Sequence, residues 1–100
     1  MSEVPFAPVR TVLVGASPNP FNPHTTIRYE LAKAGPVMMR IYSVDGRLVR
    51  TLVEEVQAAG RWDVAWNGRD ESGRPVSSGT YLARMVAAGT AQTQRLTLLR

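Results

Sequence analysis

The stretch that decides the fold is WNGRDESGRPVSSGTY, residues 66–81, because one alternating apolar pattern runs into it and another runs out of it. Its glycines permit positive φ angles, and the side chains of Asn67, Asp70 and Ser72 can hydrogen-bond to their own backbone. Pro75 fixes one further dihedral angle. This composition predicts a loop between two strands and no catalytic centre.

Alternation with a period of two marks strands on both sides of this loop. From Thr25 to Leu31 every second side chain is Thr, Ile, Tyr or Leu, and the side chains between them are polar. Such a pattern is typical of an antiparallel strand with one dry and one wet face. Strands are predicted at residues 11–16, 25–31, 37–44, 47–54, 61–66, 80–87 and 91–99. The side chains predicted to face inward are Thr25, Ile27, Tyr29, Leu31, Val37, Met39, Ile41, Trp62, Val64, Trp66, Tyr81, Ala83, Met85, Leu96 and Leu98.

Prolines and glycines between these strands predict turns and one extended crossover. Three prolines between Ser17 and Pro23 predict a stiff, extended crossover, because each removes a backbone donor and restricts the residue before it. Phe21 lies among them and is expected to plug one end of the core. Turns are predicted at residues 34–36 and 88–89.

The segment after the third strand carries a hairpin signal. Asp45-Gly46 favours a tight turn, and the chain is expected to run back from it to Glu54. The apolar residues of this returning segment do not keep a period of two, which predicts a bulge or a short edge strand. Residues 54–60 are too few to hold as a helix, and Gly60 closes them.

Length and composition fit one all-β domain. The chain has 100 residues, 44% of them hydrophobic, which is enough to build a single core. Seven or so short strands without an amphipathic helix predict an immunoglobulin- or fibronectin-like β-sandwich of antiparallel strands over residues 11–100. Residues 1–10 are interpreted as a flexible linker, and the chain as a module of a longer protein.

Charge and apolar runs limit the partners. The formal charge is +4, but the basic residues are scattered among the strands without a cluster of four, which is typical of solvated faces and argues against nucleic acid. No apolar run approaches the ~20 residues of a membrane span, and the N-terminus lacks a signal-peptide core. Any export signal is expected on the rest of the parent protein.

No constellation of residues predicts an enzyme or a cofactor site. The chain has no cysteine and a single histidine, His24, so thiolate and histidine-rich metal sites are excluded. Some of its carboxylates face outward on strands, some are adjacent in sequence and diverge, and some lie on the loop with no histidine nearby. General acid and base catalysis therefore has no candidate pair of residues. Asn67 to Gly73 has the oxygen groups of a calcium loop but not the ligand spacing, and a stabilised turn is favoured.

Five separated motifs, in order, resemble the FlgD-type immunoglobulin-like domain, named for the flagellar hook-capping protein. They are PNPFNP at 18–23, TIRY at 26–29, IYSVDGR at 41–47, WNGRDESG at 66–73 and SGTY at 78–81. The usual Trp-Asp-Gly of the family is Trp66-Asn67-Gly68 here, which further disfavours a metal site. The motif positions carried over as structural, as turns or core, are Asn19, Pro20, Phe21, Asn22, Pro23, Tyr42, Gly46, Trp66, Gly68, Asp70, Gly73, Gly79 and Tyr81.

The resemblance implies a non-catalytic C-terminal module of a secreted or surface protein. The ending LTLLR at 96–100 is similar to the sorting domains that the type IX secretion system reads, which makes secretion machinery or a cell-surface component the expected partner. The candidate recognition surface is Arg95, Thr97 and Arg100, on the last strand, which is also expected to offer a free edge. Two alternatives stay open: an assembly domain of hook-cap type, and an accessory carbohydrate-binding module with Tyr42 as its exposed aromatic.

Overall fold

The computed structural model describes residues 8–100, which form seven antiparallel strands in two sheets. The three-stranded sheet has the order β1-β2-β5, and the four-stranded sheet has the order β4-β3-β6-β7. The predicted all-β sandwich of about seven strands is confirmed. Most of the predicted N-terminal linker, residues 1–7, lies outside the described residues. The strands are β1 Val12–Ser17, β2 Thr25–Leu31, β3 Gly35–Ser43, β4 Leu48–Gln57, β5 Gly60–Trp66, β6 Gly79–Ala87 and β7 Thr90–Leu98.

The core lies between the two sheets and is built from the side chains that the alternation predicts. All of the predicted inward residues are buried except Trp62 and Val64, which are half-buried. Both lie on β5, at the margin of the three-stranded sheet, so the facing sheet covers them only in part. The alternation therefore gives the correct face for the five strands in which it was used, but it does not predict how close each side chain lies to the margin of the sheet.

Trp66 is the largest fully buried side chain, with 1% of its surface exposed. Its ring packs on Phe21 with centroids 5.6 Å apart and meets Tyr81 edge-on at 5.4 Å. Its indole N–H donates to the carbonyl of Arg69, 2.9 Å away, so its polar atom is satisfied. The prediction that Phe21 plugs the core is confirmed, since it too is 1% exposed.

The β3–β4 hairpin confirms the predicted turn and bulges. Gly46 has a φ of 87°, which its missing side chain permits, and its amide donates to the carbonyl of Ser43. The pairing register of β3 and β4 shifts twice, after Met39 and after Ile41. The prediction of a short edge strand is wrong in its length: β4 is an edge strand, but it continues to Gln57 and has ten residues.

One local prediction about β3 needs correction. The turn expected at residues 34–36 lies earlier, because β3 already begins at Gly35. Pro36 fits in the strand because pairing with β6 begins only at Val37, so its missing N–H leaves no gap in that ladder. At the other end of β4 the buried Gln57 accepts a 2.7 Å hydrogen bond from the Tyr29 hydroxyl, and burial raises the pKa of Tyr29.

Candidate recognition surface

The last strand, β7, presents two of the three predicted recognition residues outward. Arg95 is exposed and Thr97 is half-buried, while the alternate residues Leu96 and Leu98 are buried in the core. The alternation of β7 therefore holds as predicted. It places Arg95 and Thr97 on the outer face of the four-stranded sheet.

The free edge expected on β7 is not free near its end, because the proline segment covers it. The side chain of Asn19 accepts from the amide of Thr97 and donates to the carbonyl of Arg95, at 2.9 and 2.8 Å. The backbone of Phe21 exchanges two further hydrogen bonds with Thr97 and Leu99, both of 2.9 Å. An incoming strand cannot pair there without displacing this segment, so the predicted pairing edge is wrong.

Arg100, the third predicted recognition residue, is hydrogen-bonded to the loop between β5 and β6. Its guanidinium donates to the carbonyls of Val76 and Gly68, at 2.6 and 2.7 Å, and its amide donates to the Ser78 hydroxyl at 2.9 Å. Gly68 has a φ of 71°, and a Cβ there would lie 3.1 Å from the Arg100 guanidinium and from the Pro23 carbonyl. Arg100 therefore fastens the end of the chain to the loop.

The loop between β5 and β6 is held by its own hydrogen bonds, as predicted. One carboxylate oxygen of Asp70 accepts from the amide and hydroxyl of Ser72 and from the amide of Arg74, at 2.8–3.0 Å. These bonds, led by the one from the Ser72 hydroxyl, hold the pKa of Asp70 below its usual value. The Tyr81 hydroxyl donates to the carbonyl of Ser77 at 2.6 Å, in the manner of the tyrosine corner of immunoglobulin sandwiches.

The described residues hold neither a metal cluster nor a spanning helix. Within residues 8–100 no three His, Asp or Glu side chains converge as metal ligands. The same residues contain no helix that could cross a membrane. Oδ1 of Asp70, one of the oxygens that a calcium ion in this loop could use, already accepts hydrogen bonds from three donors of the loop itself. That this loop binds no calcium stays a prediction.

The outer face of the three-stranded sheet is a surface of cross-strand ion pairs. Arg28 lies opposite Asp63, with a 3.1 Å contact, and Glu30 lies opposite Arg61 at 3.6 Å. All four residues come from β2 and β5, and we call them the ion-paired face. Each positive charge has a carboxylate directly across the strand, so the face is balanced and suits solvent.

The outer face of the four-stranded sheet has a different composition. Here Arg40 of β3 lies directly opposite Arg84 of β6, and Arg95 of β7 lies beside Leu82. Arg40 contacts Glu54 at 3.7 Å, whereas no carboxylate of residues 8–100 comes within ion-pair distance of Arg84 or Arg95. We call this surface the arginine face. Its residues are Met38, Arg40, Tyr42, Leu82, Arg84, Val86, Thr93 and Arg95.

Two shallow depressions lie on the arginine face, on either side of the Arg40 and Arg84 pair. The first is about 610 Å³ and is lined by apolar residues, among them Pro36, Met38 and Val86, and by Glu54 and Glu55 of β4. The second is about 300 Å³ and is lined by Tyr42, Leu82, Arg84 and Thr93 with the adjoining hairpin loop. Along the strands the face therefore presents an apolar zone bordered by two carboxylates, then a basic zone, then a second, mainly apolar zone.

Arg95, Thr97 and Tyr42 were candidates from the sequence, whereas the opposition of Arg40 and Arg84 was not predicted. The two arginines are 44 positions apart, and only the register of β3 on β6 brings them opposite each other. The alternation of both strands placed them outward, but nothing in a single strand shows which outward residue its neighbour supplies. Tyr42 and the half-buried Trp62 belong to different sheets and do not form the row of aromatics that a flat glycan platform needs.

The solved structures that are similar to this chain include PorU, PorZ and FlgD. Latent, dimeric PorU from Porphyromonas gingivalis matches 89% of the chain with 20% identity and a TM-score of 0.68, over 9% of its own length. PorZ, an essential surface component of the type IX secretion system of the same bacterium, matches 85% with 24% identity and a TM-score of 0.58, over 11% of its length. FlgD from P. aeruginosa matches 74% with 26% identity and a TM-score of 0.54, over 58% of its length.

These similarities establish a shared fold, and the chain spans less than two thirds of each of those proteins. No curated protein matches the sequence. The profile of the FlgD Ig-like domain matches residues 22–91, which contain six of the seven strands in whole or in part. Because this match covers well over half of the sequence, the chain belongs to the FlgD Ig-like domain family.

Proposed function

We propose that this domain is a non-catalytic sorting or cell-surface attachment module of a secreted multidomain bacterial protein, recognised by the type IX secretion machinery. One observation carries the proposal: nearly the whole sandwich is similar to about a tenth of PorZ, a surface component of that system, and of PorU. A small module carried by much larger exported proteins has the size and context that a sorting or attachment domain requires.

The chemistry of the domain agrees with recognition and not with catalysis. Its buried residues are apolar apart from Thr25 and Gln57, and the depressions on its surface are open and shallow. One oxygen of the Asp70 carboxylate accepts three hydrogen bonds from its own loop, which gives this carboxylate a structural role. A folded surface is then what the domain offers to a partner.

Export of a reporter tests this proposal. The 100-residue chain is fused behind a secreted reporter in a bacterium that has a type IX system, and an established sorting domain serves as the positive control. We expect the reporter to reach the surface or the medium, and Arg95→Ser with Thr97→Ser to reduce its export. Arg100 is left unchanged, because its contacts are part of the fold. If the wild-type chain is retained while the control domain exports, the proposal is wrong.

The similarity to FlgD favours a second candidate, an assembly domain of hook-cap type. Its test is to place this chain in a hook-capping protein of a motile bacterium, in exchange for the Ig-like domain. Restored hook assembly and swimming would support that function, and loss of both with a folded, stable chimera would exclude it. Retention on a polysaccharide column, abolished by Tyr42→Ala, would instead indicate the carbohydrate-binding alternative.

A further inference from the structure

We propose that the arginine face binds an acidic segment of a partner protein, in which carboxylates alternate with apolar side chains. The inference rests on the proposed function in one respect, namely that the domain acts by protein recognition. It goes beyond that function because it names the surface and the chemistry of the partner. Neither Arg40 nor Arg84 has a role in the contacts that hold the loop or the core.

The composition of the arginine face is that of a protein interface. Protein interfaces are enriched in Arg, Met and aromatic residues and depleted of Lys, Glu and Asp. The arginine face has three arginines, Met38 and Tyr42, and the carboxylates that border it are Glu54 and Glu55, on the β4 side of the larger depression. The ion-paired face has as many carboxylates as arginines and therefore resembles ordinary surface.

Charge on this face is held in an unfavourable arrangement. Like charges directly opposite each other on neighbouring strands are destabilising, and Arg40 lies opposite Arg84. The Nε atom of Arg40 is buried and has no hydrogen-bond partner within residues 8–100. The hydrogen bond to the Tyr42 side chain is the main cause that raises the pKa of Arg40, and arginine is charged at physiological pH in any case. An incoming carboxylate would offset the repulsion that the fold itself leaves in place.

Several sheet edges are closed, which leaves a face as the route of recognition. The proline segment covers β7, and the Gln92 side chain bonds to the amide of Leu13 and the carbonyl of Thr11 beside β1. On β4 two bulges and the adjacent Glu54 and Glu55 oppose strand addition. A partner strand therefore meets obstacles at the β7, β1 and β4 edges, whereas the arginine face is open.

The charge on this face suits carboxylates better than nucleic acid. Affinity for a phosphate backbone depends mainly on how many phosphates the Lys and Arg side chains neutralise. The arginine face offers three arginines, and a sugar-phosphate chain has no apolar side chains that could fill the depressions beside them. Guanidinium groups pair with carboxylates in a bidentate manner, and apolar side chains on either side would fill the two depressions.

The test is a titration of the ¹⁵N-labelled 100-residue chain, followed by NMR, with a synthetic peptide that repeats Glu-Phe-Asp-Leu three times. A peptide with lysines in place of the acids is the matched control. We expect shift changes at Arg84, Thr93 and Arg95, weakening with salt because the charges are exposed. The double variant Arg84→Gln, Arg95→Gln should bind at least about tenfold more weakly, which corresponds to about 1.4 kcal/mol.

A second double variant, Arg28→Gln with Arg61→Gln, removes the same charge from the ion-paired face and should bind like wild type. Arg84→Glu with Arg95→Glu should reverse the preference toward the lysine peptide. Absence of shifts at millimolar peptide, or equal losses from both faces, would overturn the inference. So would tighter binding to heparin or to phosphatidylglycerol vesicles through the same arginines. Because no step involves export, a failure here is distinct from a failure of the sorting proposal.

Discussion

The two outer faces of this sandwich use the same residue type in opposite ways. On the ion-paired face, Arg28 and Arg61 each lie opposite a carboxylate, and the charges cancel. On the arginine face, Arg40 lies opposite Arg84, with Thr51 and Thr93 beside them on the neighbouring strands and apolar side chains farther along β3 and β6. Along the sequence the arginines look evenly scattered. Strand register places some arginines on a surface where their charges are balanced by carboxylates and others on a surface where they are not. The net charge of +4 does not show this difference.

The largest expected effect concerns the core on which both faces depend. Trp66→Ala should lower the free energy of unfolding by about 3–5 kcal/mol, because the side chain is fully buried between Phe21 and Tyr81. Trp62→Ala, at a half-buried position of the same strand, should lower it by less than half as much. Urea unfolding measures both. A loss below about 1 kcal/mol for Trp66→Ala would contradict the assigned core.

A smaller effect separates Arg100 from the arginine face. Arg100→Ser should destabilise the domain by about 1–2 kcal/mol, because it removes charged hydrogen bonds to the carbonyls of Val76 and Gly68. Arg95→Ser, which breaks no side-chain contact of the fold, should stay within about 0.5 kcal/mol. Thermal unfolding of the two variants decides the matter. Equal stability of the two variants would mean that the Arg100 side chain does not stabilise the fold and is available for recognition.

Removing one arginine from each face sharpens the comparison directly. Arg28→Gln should cost about 0.2–1 kcal/mol at low salt and less at high salt, because it breaks an exposed ion pair. Arg84→Gln should leave stability unchanged or raise it by about 0.2–0.5 kcal/mol, because it relieves the repulsion from Arg40. Urea unfolding at two salt concentrations gives both values. A clear loss for Arg84→Gln would mean that its charge serves the fold.

The smallest effect is expected in the loop, away from both faces. The pKa of Asp70 is lowered in the folded state, so its carboxylate stabilises the fold above the unfolded value of about 3.9. That contribution is lost as the pH falls through the lower, folded pKa. Asp70→Asn should therefore lower the melting temperature at pH 7, and the difference from wild type should shrink below about pH 4. A difference that stays constant with pH would show that the charge is not involved.

Local patterns in the sequence were enough to predict the strands and their inward faces. From Thr25 to Leu31 the bounds and the burial both agree, because a period of two depends only on neighbouring residues. The long-range hydrogen bonds that cover the sheet edges were not predictable from local patterns. Asn19 on Thr97 and Gln92 on Leu13 join residues about 80 positions apart, and polar side chains of these types carry no local sign of a distant partner.

The candidate surface was predicted in part for the same reason. Arg95 and Thr97 were placed outward correctly, because the alternation of β7 fixes their side. Arg100 follows the last strand, where alternation no longer applies, and its contacts depend on how the loop at Gly68 folds back. The opposition of Arg40 and Arg84 needed the register of a non-local strand pair, which the sequence of either strand leaves open.

The most direct test of the account is a comparison of the two faces in the working protein. The chain has no cysteine, so Thr93→Cys on the arginine face and Thr26→Cys on the outer side of β2 can each be the sole thiol. Maleimide labelling is measured on the isolated chain and on the chain engaged in exporting cells. The account predicts that engagement protects the thiol at 93 and leaves the thiol at 26 reactive. Protection at 26 alone, or at neither position during active export, would contradict it.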